Sequence, residues 1–131
     1  MKTMKFCSTL ALGLAFAAGA AMAHHSTNGI YDEEHPIEIV GTVKSWRFIN
    51  PHPFLTVEAP DATGTMREWD VSYGGAAVVH MRRQGYSEDS FKPGDVIKVV
   101  GPPAKAKGAY GILVERNHPT RADGTPIITG R

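Results

Sequence analysis

Beyond residue 36 the chain alternates apolar and polar positions over short runs, the period of strands that bury one face. The most informative stretch is 37–58, IEIVGTVKSWRFINPHPFLTVE. Ile37, Ile39 and Val43 keep one phase, and Trp46 and Phe48 resume in another. The break at Lys44-Ser45 predicts a bulge or a strong bend of the kind small barrels use to turn a corner. Asn50-Pro51-His52-Pro53 then ends the pairing, because each proline lacks an N–H and holds its predecessor extended. Phe54, Thr56 and Glu58 alternate with Leu55 and Val57, so a second strand follows.

The rest of the chain repeats this grammar. Pro60-Asp61-Ala62-Thr63-Gly64 is a turn cluster, and residues 66–72 read as a third strand, hairpinned to the second, with Trp69 and Val71 facing the core. After Gly74-Gly75, residues 76–84 place Val78 and Val79, with Met81 or Arg82, on one face at helical spacing. Gly85 stands where a C-terminal cap belongs, and Arg82 and Arg83 complement the helix dipole. Residues 95–101 read as a strand mostly buried on both faces, and 109–116 as the last core strand. Asp123-Gly124 predicts a small terminal hairpin with Ile127 and Ile128 pairing back. The expected fold is mainly β: an OB-like, five-stranded Greek-key barrel with one short helix between its third and fourth strands. A small open sandwich is the alternative.

The first residues follow a different logic. Lys2 and Lys5 precede an apolar run at 10–18, and Ala21-Met22-Ala23 matches a small-x-small cleavage pattern. The run is too short for a spanning helix. Residues 1–23 are therefore expected to be a signal peptide, 24–36 an N-terminal arm and 37–131 the barrel domain, in a periplasmic or secreted protein with no membrane span after processing. The polar stretch 24–29 is expected to be mobile or loosely docked. Removing Lys2 and Lys5 from the 14 basic residues leaves 12 against 13 acidic, a net charge of −1. That balance argues against nucleic acid as a partner. Cys7, the one cysteine, leaves with the leader, which excludes disulfides, thiolate metal sites and a cysteine nucleophile from the mature chain.

Several motifs occur together: His24-His25-Ser26, Gly-Thr-Val before Trp46, Asn50-Pro51-His52, the Trp69 strand, Arg82-Arg83-x-Gly85, and Lys92-Pro93-Gly94-Asp95 before a Val-rich strand. In that combination the chain resembles a family of small exported bacterial proteins catalogued as a domain of unknown function. The resemblance implies compartment and size, and carries no established activity or catalytic residue. The strand layout is also similar to that of small periplasmic OB-fold metallochaperones for copper, without their methionine and tryptophan ligand spacing.

The candidate chemistry is that of a binding protein. Cleavage after Ala23 gives His24 both a free amine and an imidazole, two nitrogens that close one chelate ring on a metal ion. The amine titrates near ~7.7–8.0, so protons compete only mildly near neutrality. Nitrogen donors favour Cu(II) in the divalent series, which makes copper the expected cofactor if there is one, with His25 or His52 as a third nitrogen and the acidic patch at 32–35 as a further source of ligands. The plainer reading of His24 and His25 is a solvated tail, and of His52 a turn residue bonded to a backbone carbonyl. Trp46 and Trp69 are candidates to floor a cleft for a sugar, peptide or aromatic ligand, beside Asn50 and Phe54 of the corner, or else are core. No G-x-S-x-G elbow, H-E-x-x-H helix or phosphate-binding glycine loop is present, so an enzyme is not expected. The alternative to a metal carrier is a metal-free ligand- or protein-interaction module of the periplasm. Nothing in the pattern indicates an oligomeric state.

Overall fold

A computed structural model describes residues 27–115 and 117–128. Its elements are β1 (Ile37–Arg47), β2 (Phe54–Pro60), β3 (Met66–Ser72), α1 (Val78–Arg83), β4 (Val96–Gly101), β5 (Gly111–Leu113) and β6 (Thr120–Arg121). They form a six-stranded sheet in the order β5-β3-β2-β1-β4-β6, with β3 and β5 parallel and every other pair antiparallel. The architecture is thus mainly β with one short helix, and it adds a strand to the five expected.

The sheet curls because β1 serves two partners. Its first half, from Ile37 to Thr42, pairs with β4, and from Thr42 onward it pairs with β2. At the changeover Gly41 is indispensable: a Cβ there would lie 2.2 Å from the Glu58 carbonyl oxygen and 2.6 Å from the Ala59 Cβ. Just beyond it the register to β2 slips between Val43 and Ser45, so Lys44 is the extra residue of the bulge expected from the phase break. The curl then brings the chain leaving β4 onto β5. Ala104 N–H donates to the Gly111 carbonyl at 2.8 Å and Leu113 N–H to that of Pro102 at 2.9 Å. These bonds join the two ends of the five-strand run, in keeping with a partly open Greek-key barrel. β6 stays outside that run, paired with Ile97 and Lys98 of β4 and bridged at Thr120 to Pro126.

The core fills the inside of the curl. Val43, Leu55, Val57, Ile97, Val99 and Ile112 are all at most 2% exposed, each contributing about 1.5–3 kcal/mol of apolar burial. Two sequence expectations change here. β4 is buried on one face, not two, because its Ile97 and Val99 face inward while Val96 is 51% exposed. The helix buries Val78 and Met81 and turns Val79 to solvent. Its end fits the expected cap. Tyr86 N–H donates to the Met81 carbonyl and Gly85 N–H to that of Arg82, with Gly85 at φ +99°, the paired bonds of a Schellman motif.

The last core strand is shorter than 109–116, and Arg116 lies outside the described residues. The terminal hairpin forms at Asp123-Gly124, with Arg121 N–H donating to the Thr125 carbonyl, while Ile127 and Ile128 pack on the core. The arm is docked from residue 30 onward: Lys105 N–H donates to the Ile30 carbonyl and Asp32 N–H to that of Pro103, each at 2.8 Å. Among the described residues no helix is long and apolar enough to cross a membrane.

Candidate functional site

The corner between β1 and β2 organises the candidate site. Phe48 and Pro53 point inward and are buried, whereas Ile49, Asn50, Pro51 and His52 are exposed. With pairing interrupted by the prolines, the corner is held from α1 instead. Val78 N–H donates to the Pro51 carbonyl at 3.3 Å, and His52 Nδ1 lies 3.3 Å from the Ala76 carbonyl. A carbonyl only accepts, so Nδ1 is the donor, and in the neutral ring Nε2 keeps its lone pair. The Arg82 guanidinium sits over Phe48, 4.9 Å from the ring centroid, and pairs with Glu88.

Between this corner and the β2–β3 hairpin lies a cleft of about 390 Å³. Leu55, Val71 and Pro53 give it apolar walls. His52, Phe54, Thr56, Asp70 and Ser72 line it with an aromatic face, two hydroxyls, an imidazole and a carboxylate. Phe54 is 56% exposed, unusual for a phenylalanine, and carries the Arg47 guanidinium 5.8 Å from its ring centroid. Asp70 stands directly across from Thr56; its backbone N–H donates to the Tyr110 carbonyl at 2.8 Å, while its carboxylate makes no hydrogen bond or ion pair among the described residues. Ser72 Oγ accepts from Gly74 N–H at 3.2 Å and so shapes the rim.

The tryptophans do not share a cleft. β2 lies between their strands. Trp46 belongs to an aromatic cluster with Phe48, Tyr73, Tyr86 and Phe91, and its indole N–H donates to the Ser87 carbonyl at 2.9 Å. Trp69 is 6% exposed, packs edge-on against Tyr110 and donates to the Ala59 carbonyl. Neither lines the corner cleft, nor does Asn50; of the ligand-binding candidates Phe54 alone does, joined by His52. Asp70, Thr56 and Ser72 are not among the candidates the sequence offers. Their alternation marks them as outward-facing, but only the hairpin register puts them beside the corner.

Behind the cleft a second polar arrangement is internal. Tyr86 Oη is 2.6 Å from His118 Nδ1, and Tyr73 Oη is buried with no hydrogen-bond partner. Burial pushes both phenols up from their usual range, Tyr73 well above it. Both hydroxyls therefore keep their protons, and the Tyr86 hydroxyl shares one hydrogen bond with His118 Nδ1, its direction following the imidazole tautomer.

His24 and His25 lie outside the described residues. Among the described residues no group of three or more His, Cys, Asp or Glu side chains is placed to hold a metal ion. In the acidic patch Asp32 pairs with His35 at 3.1 Å and Thr27 donates to Glu33 at 2.6 Å.

Fold and cleft together define a small β domain with an open, mixed polar and aromatic groove on its sheet. Residues 11–113 match the model of DUF6152, a family of unknown function, and the chain belongs to that family. No curated protein matches the chain.

Proposed function

We propose that this is an exported binding protein, not an enzyme, that takes a small ligand in the corner cleft. The observation that carries the reading is Phe54, a majority-exposed aromatic ring in a groove with apolar walls. Ligand sites commonly combine apolar surface with a few convergent polar groups, and Thr56, Asp70, Ser72 and the His52 ring supply them here. The β2–β3 face is also the one OB-type barrels use for binding, which supports the reading by analogy. The test is a fragment screen by ¹H–¹⁵N NMR on the processed protein. Hits should converge on the amides of residues 54–56 and 70–74 and vanish in Phe54→Ser. Hits that scatter, or that survive Phe54→Ser, would remove the cleft from the site.

A second reading rests on the predicted cleavage after Ala23. It assigns copper to the amine and imidazole of His24, with His25 or His52 as a further nitrogen. Cu(II) titration of the processed protein, against a version with one extra N-terminal residue, tests it. Equal affinities would take the terminal amine out of the coordination.

A further inference from the structure

We infer that the ligand of the corner cleft is an organic cation, an ammonium or guanidinium carried on a flat apolar body. This rests on the cleft reading above and adds the charge and shape of the occupant. Among the described residues that line the cleft, Asp70 is the sole carboxylate, and none is a lysine or arginine. The Asp70 carboxylate has no hydrogen bond or ion pair among the described residues, and its cross-strand neighbour Thr56 brings no countercharge. In the next outward rung Glu58 stands directly opposite Glu68. Like charges facing each other across strands are unfavourable and add to the negative potential along the face. Lys44, 3.6 Å from Glu58, offsets one of them. Among the described residues no cation pairs with the Asp70 carboxylate.

The aromatic side of the cleft selects the same class of ligand. The face of a phenyl ring is the negative end of its quadrupole and attracts cations. Phe54 already holds one, the Arg47 guanidinium, which reaches it from β1. Asp70 stands on β3, across β2 from that arginine. A ligand cation therefore meets Asp70 from the far side of the hairpin and leaves Arg47 in place, while its apolar body lies against Phe54, Pro53 and the edges of Leu55 and Val71. A bare metal ion would gain nothing from those walls, and an anion would be repelled by Asp70. A neutral polyol could use Thr56 and Ser72 but would forgo the charge.

Ion pairs and cation–π contacts at exposed sites are each weak. Together they amount to about a three- to tenfold gain in affinity for a cation over its neutral isostere. Benzylamine and benzyl alcohol form such a matched pair. Each is titrated into ¹⁵N-labelled processed protein at low ionic strength and near-neutral pH, following the amides of Phe54, Thr56, Asp70, Ser72 and Gly74. The expected result is tighter binding of benzylamine by that factor, lost in added salt and abolished by Asp70→Asn, which changes an exposed side chain that makes no hydrogen bond and so spares the fold. Equal binding of the alcohol, or a preference that survives Asp70→Asn, overturns the charge assignment and leaves the cleft reading standing. If neither probe moves the cleft amides, the cleft reading falls as well.

Discussion

Tyr73 offers a test of the interior that runs against ordinary expectation, since removing its hydroxyl should not weaken the protein. The side chain is 7% exposed and its Oη has no hydrogen-bond partner. The neighbouring Tyr86 hydroxyl pushes the Tyr73 phenol up both as a charge and as a hydrogen-bonding group, yet Tyr73 Oη has no partner at hydrogen-bond geometry, and the Tyr86 hydroxyl is already bonded to His118 Nδ1 at 2.6 Å. An unsatisfied buried hydroxyl costs about 1–3 kcal/mol. Tyr73→Phe removes that cost and leaves a void of one oxygen, worth about 0.3 kcal/mol at ~24 cal/mol per Å³. The ring contacts with Trp46 and Tyr86 stay. Tyr73→Phe is therefore expected to stabilise by about 1 kcal/mol. Tyr86→Phe, which deletes a made bond, should destabilise by about 0.5–1.5 kcal/mol. Urea unfolding measures both: the Tyr73→Phe midpoint should rise at unchanged m-value, and the double mutant should show coupling below about 0.5 kcal/mol. A lower midpoint for Tyr73→Phe, or a coupling well above that, would mean the hydroxyl has a real partner and that the Tyr73–Tyr86–His118 arrangement is a continuous hydrogen-bonded chain.

Three further outcomes follow from other parts of the fold. Gly41→Ala should destabilise by more than about 2 kcal/mol in the same assay, because the added methyl meets the Glu58 carbonyl and Ala59 on β2 and cannot be relieved by a side-chain rotation. Gly85→Ala, at φ +99°, should cost about 1–2 kcal/mol and fray α1, seen as faster amide exchange at Tyr86, whose N–H closes the cap. The acid limb of the stability curve should depend on Asp61, whose carboxylate is held below its usual pKa by the Thr63 hydroxyl first and by Arg67 next. A depressed folded pKa means the unfolded chain binds the proton more readily, so this contribution is present above the unfolded value near ~4 and is lost as pH falls further. Asp61→Asn should flatten that limb, and an unchanged limb in chemical denaturation at stepped pH would refute it.

What could be read from the sequence, and what could not, divides along a physical line. The bulge at Lys44, the Trp69 strand and the Gly85 cap were legible because each leaves a local mark: a phase break, a strict alternation, a glycine after a helical run. The sixth strand left none, since Thr120–Arg121 becomes a strand only by meeting Ile97 and Lys98. Residues 95–101 misled for a related reason. Val and Ile on both phases suit a two-sided strand, but whether the second face is covered depends on what the curl brings over it, and Val96 is left in solvent. The necessity of Gly41 is likewise invisible in the sequence, because it comes from the β2 backbone across the bend.

The candidate site divides in the same way. The corner announces itself, because two prolines around a histidine before an aromatic residue cannot continue a ladder. Its opposite wall does not, because Asp70 is one acidic residue among alternating ones until the hairpin register sets it against Thr56. The same register explains why the two tryptophans, the most conspicuous residues in the sequence, lie apart. Trp46 and Trp69 both face inward, but with β2 between their strands they serve separate parts of one core. Phe54 is different because it opens β2 on the outward phase, directly after a buried proline, so its ring is turned to solvent by the alternation that buries Leu55. An exposed aromatic ring on that phase, beside a carboxylate without a partner, is what gives this face a chemistry its inward-facing tryptophans cannot supply.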